Sequence, residues 1–315
     1  MRRKLGQASG GFDLSDSLQT GLLALGGALL AEKTTDVLMK IIGDPPLTGR
    51  QKDLVDIISG FLLEEGAKRM GYEFPASIGA VAKNIKDFID RGPYEAYKRE
   101  ILSGDGLVLA LFMDEGRGDR VIDASGKGNH GTVYGARWRK ERGIWTLSFD
   151  GVDDYVEVAD SASLDITDEI TIEAWVKLNS FASASNNIVL TDSWTNANRI
   201  MLFVKDDGAA VFRVEPPDGT NQDATKSGIE LNKWYHLAGR YNSEAVTIFV
   251  NGVEGTPYNN PVARGSANYN WTIGAMTSAS IYTNGTIDEV RIYNRALSAD
   301  EIARHHQLGR PFHLA

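Results

Sequence analysis

The chain has 315 residues and no cysteine, so its chemistry has to come from oxygen and imidazole. No disulfide framework, thiolate zinc site or thiol nucleophile is available. A metal would rest on oxygen ligands or on the five histidines, two of which, His305 and His306, sit in a late polar stretch. Oxygen-only ligation favours calcium or magnesium over zinc. Asp288 has the clearest need of a partner, because the segment around it otherwise reads Ile287-x-x-Val290-x-Ile292 and an unpaired charge there is costly. Sugar binding is a second chemistry, in which aromatic faces and polar side chains line a groove. Trp194, Tyr269 and Tyr282 each stand in a polar loop, where a large aromatic is poorly placed for a core. No Gly-x-Ser-x-Gly, His-Glu-x-x-His or phosphate-binding glycine loop occurs.

The elements that must position these residues fall into two parts. At roughly 100–200 residues per domain the length suggests about two domains. The apolar fraction of 42% and charged fraction of 24% are those of a globular protein and exclude a collagen-like or wholly disordered chain. Residues 1–104 carry no net charge, and residues 105–315 carry the whole −9 and all six tryptophans. The boundary is therefore set at residue 104. The acidic balance disfavours generic nucleic-acid binding.

The first part reads as helical. Leu18, Leu22, Leu25 and Leu29 recur at helical spacing, and Gly43-Asp44-Pro45-Pro46 ends that helix. Further helices follow at Thr48 and Pro75, and a short one from Pro93 carries Tyr94, Tyr97, Ile101 and Leu102. Gly21, Gly26 and Gly27 lie inside the first helix, where a glycine costs about 1 kcal/mol relative to alanine. Close approach of another helix offsets that cost, so this region is expected to serve in assembly or anchoring. A plain helical bundle and an interfacial membrane contact are the alternatives. The run Gly21–Ala31 is too short to cross a bilayer, which needs about 20 residues, and makes a poor signal peptide.

From Leu107 the period changes from 3.6 to 2. Ile170-Thr-Ile-Glu-Ala-Trp-Val-Lys-Leu and Val246-Thr-Ile-Phe-Val alternate cleanly, and Asn251-Gly252 is a hairpin signal because both residues accept positive φ. Strands are expected over 107–113, 145–149, 155–158, 170–178, 188–191, 199–204, 210–214, 234–241, 245–250, 271–273 and 286–293, with Trp175 and Trp234 in the core. Ser298 and Glu301 predict a capped C-terminal helix. The fold class is thus α plus all-β, a helical region followed by an antiparallel β-sandwich or jelly roll.

Six stretches, in order, resemble the laminin-G-like jelly roll of the concanavalin A-like lectin/glucanase superfamily. They are Asp123-Ala-Ser-Gly-Lys-Gly-Asn-His-Gly-Thr, Phe149-Asp-Gly-Val-Asp-Asp-Tyr-Val, Ile170-Thr-Ile-Glu-Ala-Trp-Val, Trp234-Tyr-His-Leu-Ala, Ile248-Phe-Val-Asn-Gly, and Gly285-Thr-Ile-Asp-Glu-Val-Arg-Ile-Tyr-Asn-Arg-Ala-Leu-Ser. The resemblance covers roughly residues 105–308 and implies two antiparallel sheets. It also implies a structural calcium held by Asp123, Asn129, Asp150 and Asp288, with Asp153 and Asp154 in reserve; as plain turn residues they would need no ion. The related glucanases place Glu-x-Asp-x-x-Glu on one strand. Around Glu173, Thr171 and Ala174 stand where such a pattern needs acids, so an enzyme is not expected.

The functional expectation is a non-enzymatic structural or recognition protein. The leading version is a virion component (capsid, spike or fibre) displaying a lectin-like sandwich on a helical assembly domain. It would form a homo-oligomer, or join other particle proteins, through residues 1–104. A secreted or cell-surface carbohydrate-binding adhesin is the alternative, with a glycoside hydrolase third. Location is expected at a virion surface or outside the cell.

Overall fold

A computed structural model describes residues 94–182, 185–191, 198–265 and 269–314. The helices expected over 1–93, with Gly21, Gly26 and Gly27, lie outside the described residues, and so does Trp194. The chain divides into two compact units, Met1–Glu95 and Ala96–Ala315.

The second unit is a sandwich of two antiparallel sheets. Sheet A runs β14 (Val253–Glu254), β13 (Ala245–Val250), β12 (Trp234–Tyr241), β7 (Ile170–Leu178), β19 (Asn284–Tyr293), β5 (Ile144–Asp150) and β4 (Arg137–Glu141). β1 (Leu107–Leu111) also pairs with β19, and β15 (Tyr258–Asn259) with β13. Sheet B runs β11 (Gln222–Lys226), β10 (Ala210–Val214), β9 (Ile200–Lys205), β8 (Ser185–Thr191), β16 (Trp271–Ile273), β6 (Tyr155–Val158), β3 (Gly131–Tyr134) and β2 (Arg120–Val121). A small hairpin, β17 (Ala275–Met276) and β18 (Ile281–Tyr282), brackets a 3-10 turn.

Period-2 alternation builds the core. Ile170, Ile172, Ala174, Val176 and Leu178 of β7 face inward and meet Ile200, Leu202 and Val204 of β9 and Phe212 of β10. Each fully buried Val, Leu or Ile contributes about 1.5–3 kcal/mol. Every strand expected from the pattern is present, within a few residues at its ends. Asn251 (φ 52°) and Gly252 (φ 75°) both adopt the left-handed conformation and turn β13 into β14, as the hairpin signal requires.

Two helices flank sheet A. One covers residues 94–102, as expected from Pro93, and from Ala96 onward it belongs to the sandwich unit, with Tyr97 and Ile101 buried. The other is Ala299–His313. It starts with a full capping box: the Ser298 side chain accepts from the Glu301 amide, and the Glu301 carboxylate accepts from the Ser298 amide. Gly309 lets it lie on Trp175, since a Cβ there would come within 2.6 Å of the indole nitrogen.

Candidate functional site

The outer face of sheet A should be polar on alternation, and it is. What the sequence does not show is that the C-terminal helix buries it. Glu173 and Trp175 of β7, His236 of β12, and Asp288, Glu289 and Arg291 of β19 are all fully buried. Register sets them in cross-strand rows: His236–Trp175–Asp288, then Ala238–Glu173–Arg291. A bulge between Asp288 and Arg291, with Glu289 at φ 51°, inserts one extra residue into this face.

Glu173 is the anchor of this layer. It pairs with Arg291 at 3.2 Å and His305 at 2.9 Å, with His236 at 3.5 Å. Burial pushes its carboxyl up, but His305 and Arg291 outweigh burial and hold it down at about 2. Glu173 therefore sits in a fully buried ion pair. Burial pushes the Asp288 carboxyl well up and that of Glu289 to about 7; it lowers the His236 and His313 imidazoles, and takes His306 to about 4. Asp288 finds the partner its setting demands in His313, at 2.9 Å. The Tyr97 hydroxyl donates to Glu289 and accepts from Arg291 at 2.6 Å, tying the 94–102 helix into the same layer.

The other residues implied as calcium ligands lie in two different settings. Both oxygens of Asp123 are already taken: Oδ1 accepts from the amides of Ala110 and Ser125, and Oδ2 from the Ser125 hydroxyl and the Asn129 amide. Asn129 donates to Val108 O and Ser163 Oγ and accepts from Ser161 Oγ. That pair does the work of a loop clamp, and its saturated hydrogen bonding does not fit an ion. Asp150 stands in the β5–β6 turn, where one carboxylate oxygen each of Asp150, Asp153 and Asp154 lies within 4.8 Å of the others. Those hard oxygen donors fit calcium. Burial raises Asp154, and the nearby Asp150 and Asp153 charges add to it.

The outer face of sheet B is the second surface. Register runs Asp223–Arg213–Met201–Leu190–Thr272–Glu157–Thr132–Arg120 across all eight strands. At one end Arg213 grips Asp223 with two bonds of 2.6 and 2.7 Å and stacks on Phe203. In the middle Leu190, Met201, Phe203 and Val211 form a small apolar cluster covered by Met276 and Ile281 of the β17–β18 hairpin. Tyr282 is on that hairpin and half-buried; Tyr269 is half-buried in the loop before β16. At the other end Tyr134 and Tyr155 stack, ring centroids 4.5 Å apart, with Tyr134 41% exposed. The stacked pair was not singled out from the sequence. Its signal was available: Tyr134 alternates with Val133 and Tyr155 with Val156, which places both rings outward once the strands are known.

The two sheets form a lectin-like jelly-roll domain. Residues 150–303 match a laminin-G family model of the concanavalin A-like lectin/glucanases superfamily. No curated protein matches the chain. Among solved structures, the binding domain of Paraclostridial Mosquitocidal Protein 1 is similar at 20% identity and TM-score 0.54, covering 64% of this chain and 52% of that one. Domain 4 of AbnA, a GH43 extracellular arabinanase from Geobacillus stearothermophilus solved with arabinotriose, is similar at 19% identity and TM-score 0.53, covering 64% and 98%. Botulinum neurotoxin type C, whose structure reports cell entry dependent on two ganglioside molecules, is similar at 16% and 0.53, covering 67% and 53%. The chain thus spans about half the length of the toxin structures it resembles. Among the described residues no helix is long and apolar enough to cross a membrane.

Proposed function

We propose that the sandwich is a non-enzymatic glycan-recognition head whose ligand platform is the outer face of sheet B. The observation that carries this reading is the Tyr134–Tyr155 stack, Tyr134 exposed and Tyr155 half-buried, beside the Thr132–Glu157 cross-strand pair. A sugar ring packs its C–H face on an aromatic plane while hydroxyl and carboxylate groups take its hydroxyls. Tyr282 and Tyr269 extend the same kind of surface toward the β17–β18 hairpin. The arabinotriose bound by the arabinanase domain and the gangliosides of the neurotoxin support the ligand class. A hydrolase reading is weakened because Glu173, the acid nearest to a glucanase pattern, is fully buried and ion-paired. Calcium at the Asp150–Asp154 turn would brace the β5–β6 connection at the end of this platform.

The test is a glycan array with the full chain, including arabino-oligosaccharides and sialylated glycans, followed by titration of the best ligand. Tyr134→Ala should bind about tenfold more weakly, equivalent to about 1.4 kcal/mol. Unchanged affinity in Tyr134→Ala would move the site off this face; no binding by the parent chain to any glycan would end the reading.

The head would be displayed outside a cell or on a particle, with residues 1–104 as its assembly or anchoring part. The particle component remains the leading version of that arrangement because Gly21, Gly26 and Gly27 fall where the sequence pattern expects a helix, and glycines inside a helix call for close helix contacts.

A further inference from the structure

The geometry points to a buried site for one divalent transition-metal ion, formed by Asp288 and Glu289 of β19 and His313 of the C-terminal helix. One ligand atom from each lies within 4.8 Å of the others, and all three residues are fully or almost fully buried. This site is separate from the glycan platform, which is on the opposite sheet, and from the acidic β5–β6 turn.

Hydrogen-bond accounting carries the assignment. His313 Nδ1 lies 3.1 Å from the Gly309 carbonyl oxygen, which can only accept, so Nδ1 holds the hydrogen. In the neutral ring Nε2 then presents a lone pair, and it faces Asp288 Oδ2 at 2.9 Å. With Asp288 ionised, as a metal ligand is, two lone pairs face each other there and call for a cation between or beside them; a neutral Asp288 instead donates its proton to Nε2, and measured metal content separates the two. A ring fixed through Nδ1–H to a backbone carbonyl, with Nε2 turned to a carboxylate group, is also how proteins orient a metal-ligating histidine. Asp288 Oδ1 is occupied by the Glu289 amide, which leaves Oδ2 for the ion. Glu289 Oε2 takes the Tyr97 hydroxyl, whereas Oε1 is buried without any partner. The bulge has turned this second carboxylate into the layer and left one of its oxygens unused.

Charge points the same way. Glu173, Asp288, Glu289 and Arg291 are all fully buried side by side, three acids to one guanidinium. Arg291 is 3.2 Å from Glu173 and 3.8 Å from Glu289. With all three carboxylates ionised, as in the loaded site, a divalent ion brings the buried set to neutrality with the histidines uncharged. One imidazole with two carboxylates suits zinc, manganese or ferrous iron better than calcium, whose sites are built from oxygen alone. With the site under the C-terminal helix, the ion is taken up as the chain folds.

The full chain is refolded from denaturant with Zn2+, Mn2+ or chelator, desalted, and its metal content measured. One equivalent of Zn2+ or Mn2+ per chain is expected, with the exposed Glu244→Gln unchanged and Asp288→Asn and His313→Ala weakened at least about 100-fold. No retained metal, or full retention in His313→Ala, overturns the site. Because either variant could fail to fold, the parent chain is also loaded with Cu2+ and examined by pulsed electron paramagnetic resonance. Coupling to an imidazole nitrogen is expected, and its absence overturns the assignment as well.

Discussion

Glu173 and Arg291 bring two opposite charges into a fully buried layer at 3.2 Å. Removing one partner of such a pair strands the other and typically costs about 3–5 kcal/mol, far more than the pair adds over an apolar substitute. Glu173→Gln should therefore lower the unfolding free energy by about that amount in urea titration, while the folded variant keeps its glycan affinity. Loss of affinity with unchanged stability would mean that Glu173 faces a ligand after all. The histidines of the same layer set a pH response. Burial holds His306 at about 4, against 6.5 in the unfolded chain. Above 6.5 neither state is protonated there. Between 6.5 and about 4 the unfolded chain takes up a proton that the folded chain refuses, so stability falls as pH falls through that window. Glu289, raised to about 7, works in the other direction: its contribution is full below its unfolded value of 4.5 and is lost as pH rises toward 7. His306→Gln isolates the first effect. The gap between its urea midpoints near about pH 7.5 and about pH 4.5 should be smaller than in the parent, and an equal gap would remove His306 from the account.

At the scale of elements, the C-terminal helix turns a solvent-type strand face into an interior. Its contact with β7 depends on Gly309, where any Cβ meets the Trp175 indole. Gly309→Val should cost about 1–3 kcal/mol by overpacking and shift tryptophan emission to the red as water reaches Trp175. Stability and emission both unchanged would show that the helix does not seat there. The central strands were readable because every second residue of β7 and β13 is an inward aliphatic and β12 sets Leu237 and Tyr241 inward, and the capped helix because Ser298 and Glu301 satisfy each other's amides. Among the strands not expected from the sequence, β3, β4 and β11 lie toward sheet edges. Gly131-Thr-Val-Tyr, Arg137-Trp-Arg-Lys-Glu and Gln222-Asp-Ala-Thr-Lys each give the inter-sheet core one aliphatic or aromatic side chain at most, too few to show a period. The buried polar layer was hidden for a different reason. Alternation assigns Glu173, His236 and Arg291 to an outer face, and only the tertiary placement of Gly309 and His313 reveals that this face is covered. Asp288 was visible as a residue lacking a partner; the identity of the partner, 25 residues on, was not.

At the scale of the molecule, where the chain is cut decides what folds. Composition changes near residue 104, but the compact sandwich unit begins at Ala96. The difference is the end of the 94–102 helix: Ile101 is buried, and the Tyr97 hydroxyl donates to Glu289 and accepts from Arg291. A fragment starting at residue 105 leaves those two buried groups without the hydroxyl. At about 1–3 kcal/mol for each unsatisfied buried group, it should be less stable than a fragment starting at Ala96 by several kcal/mol. Light scattering of the Ala96–Ala315 fragment beside the full chain then bears on the assembly role of the N-terminal part without confusing it with unfolding. If residues 1–104 are an assembly device, only the full chain forms a particle-like or symmetric oligomer, the fragment is a monomer that still binds glycan, and Gly26→Leu in the full chain breaks the oligomer. If full chain and fragment are both monomers, the particle reading falls and an independently acting adhesin takes its place. A calcium brace at the Asp150 turn predicts that chelator lowers the fragment's melting temperature without changing its mass, because that turn joins strands of one protomer.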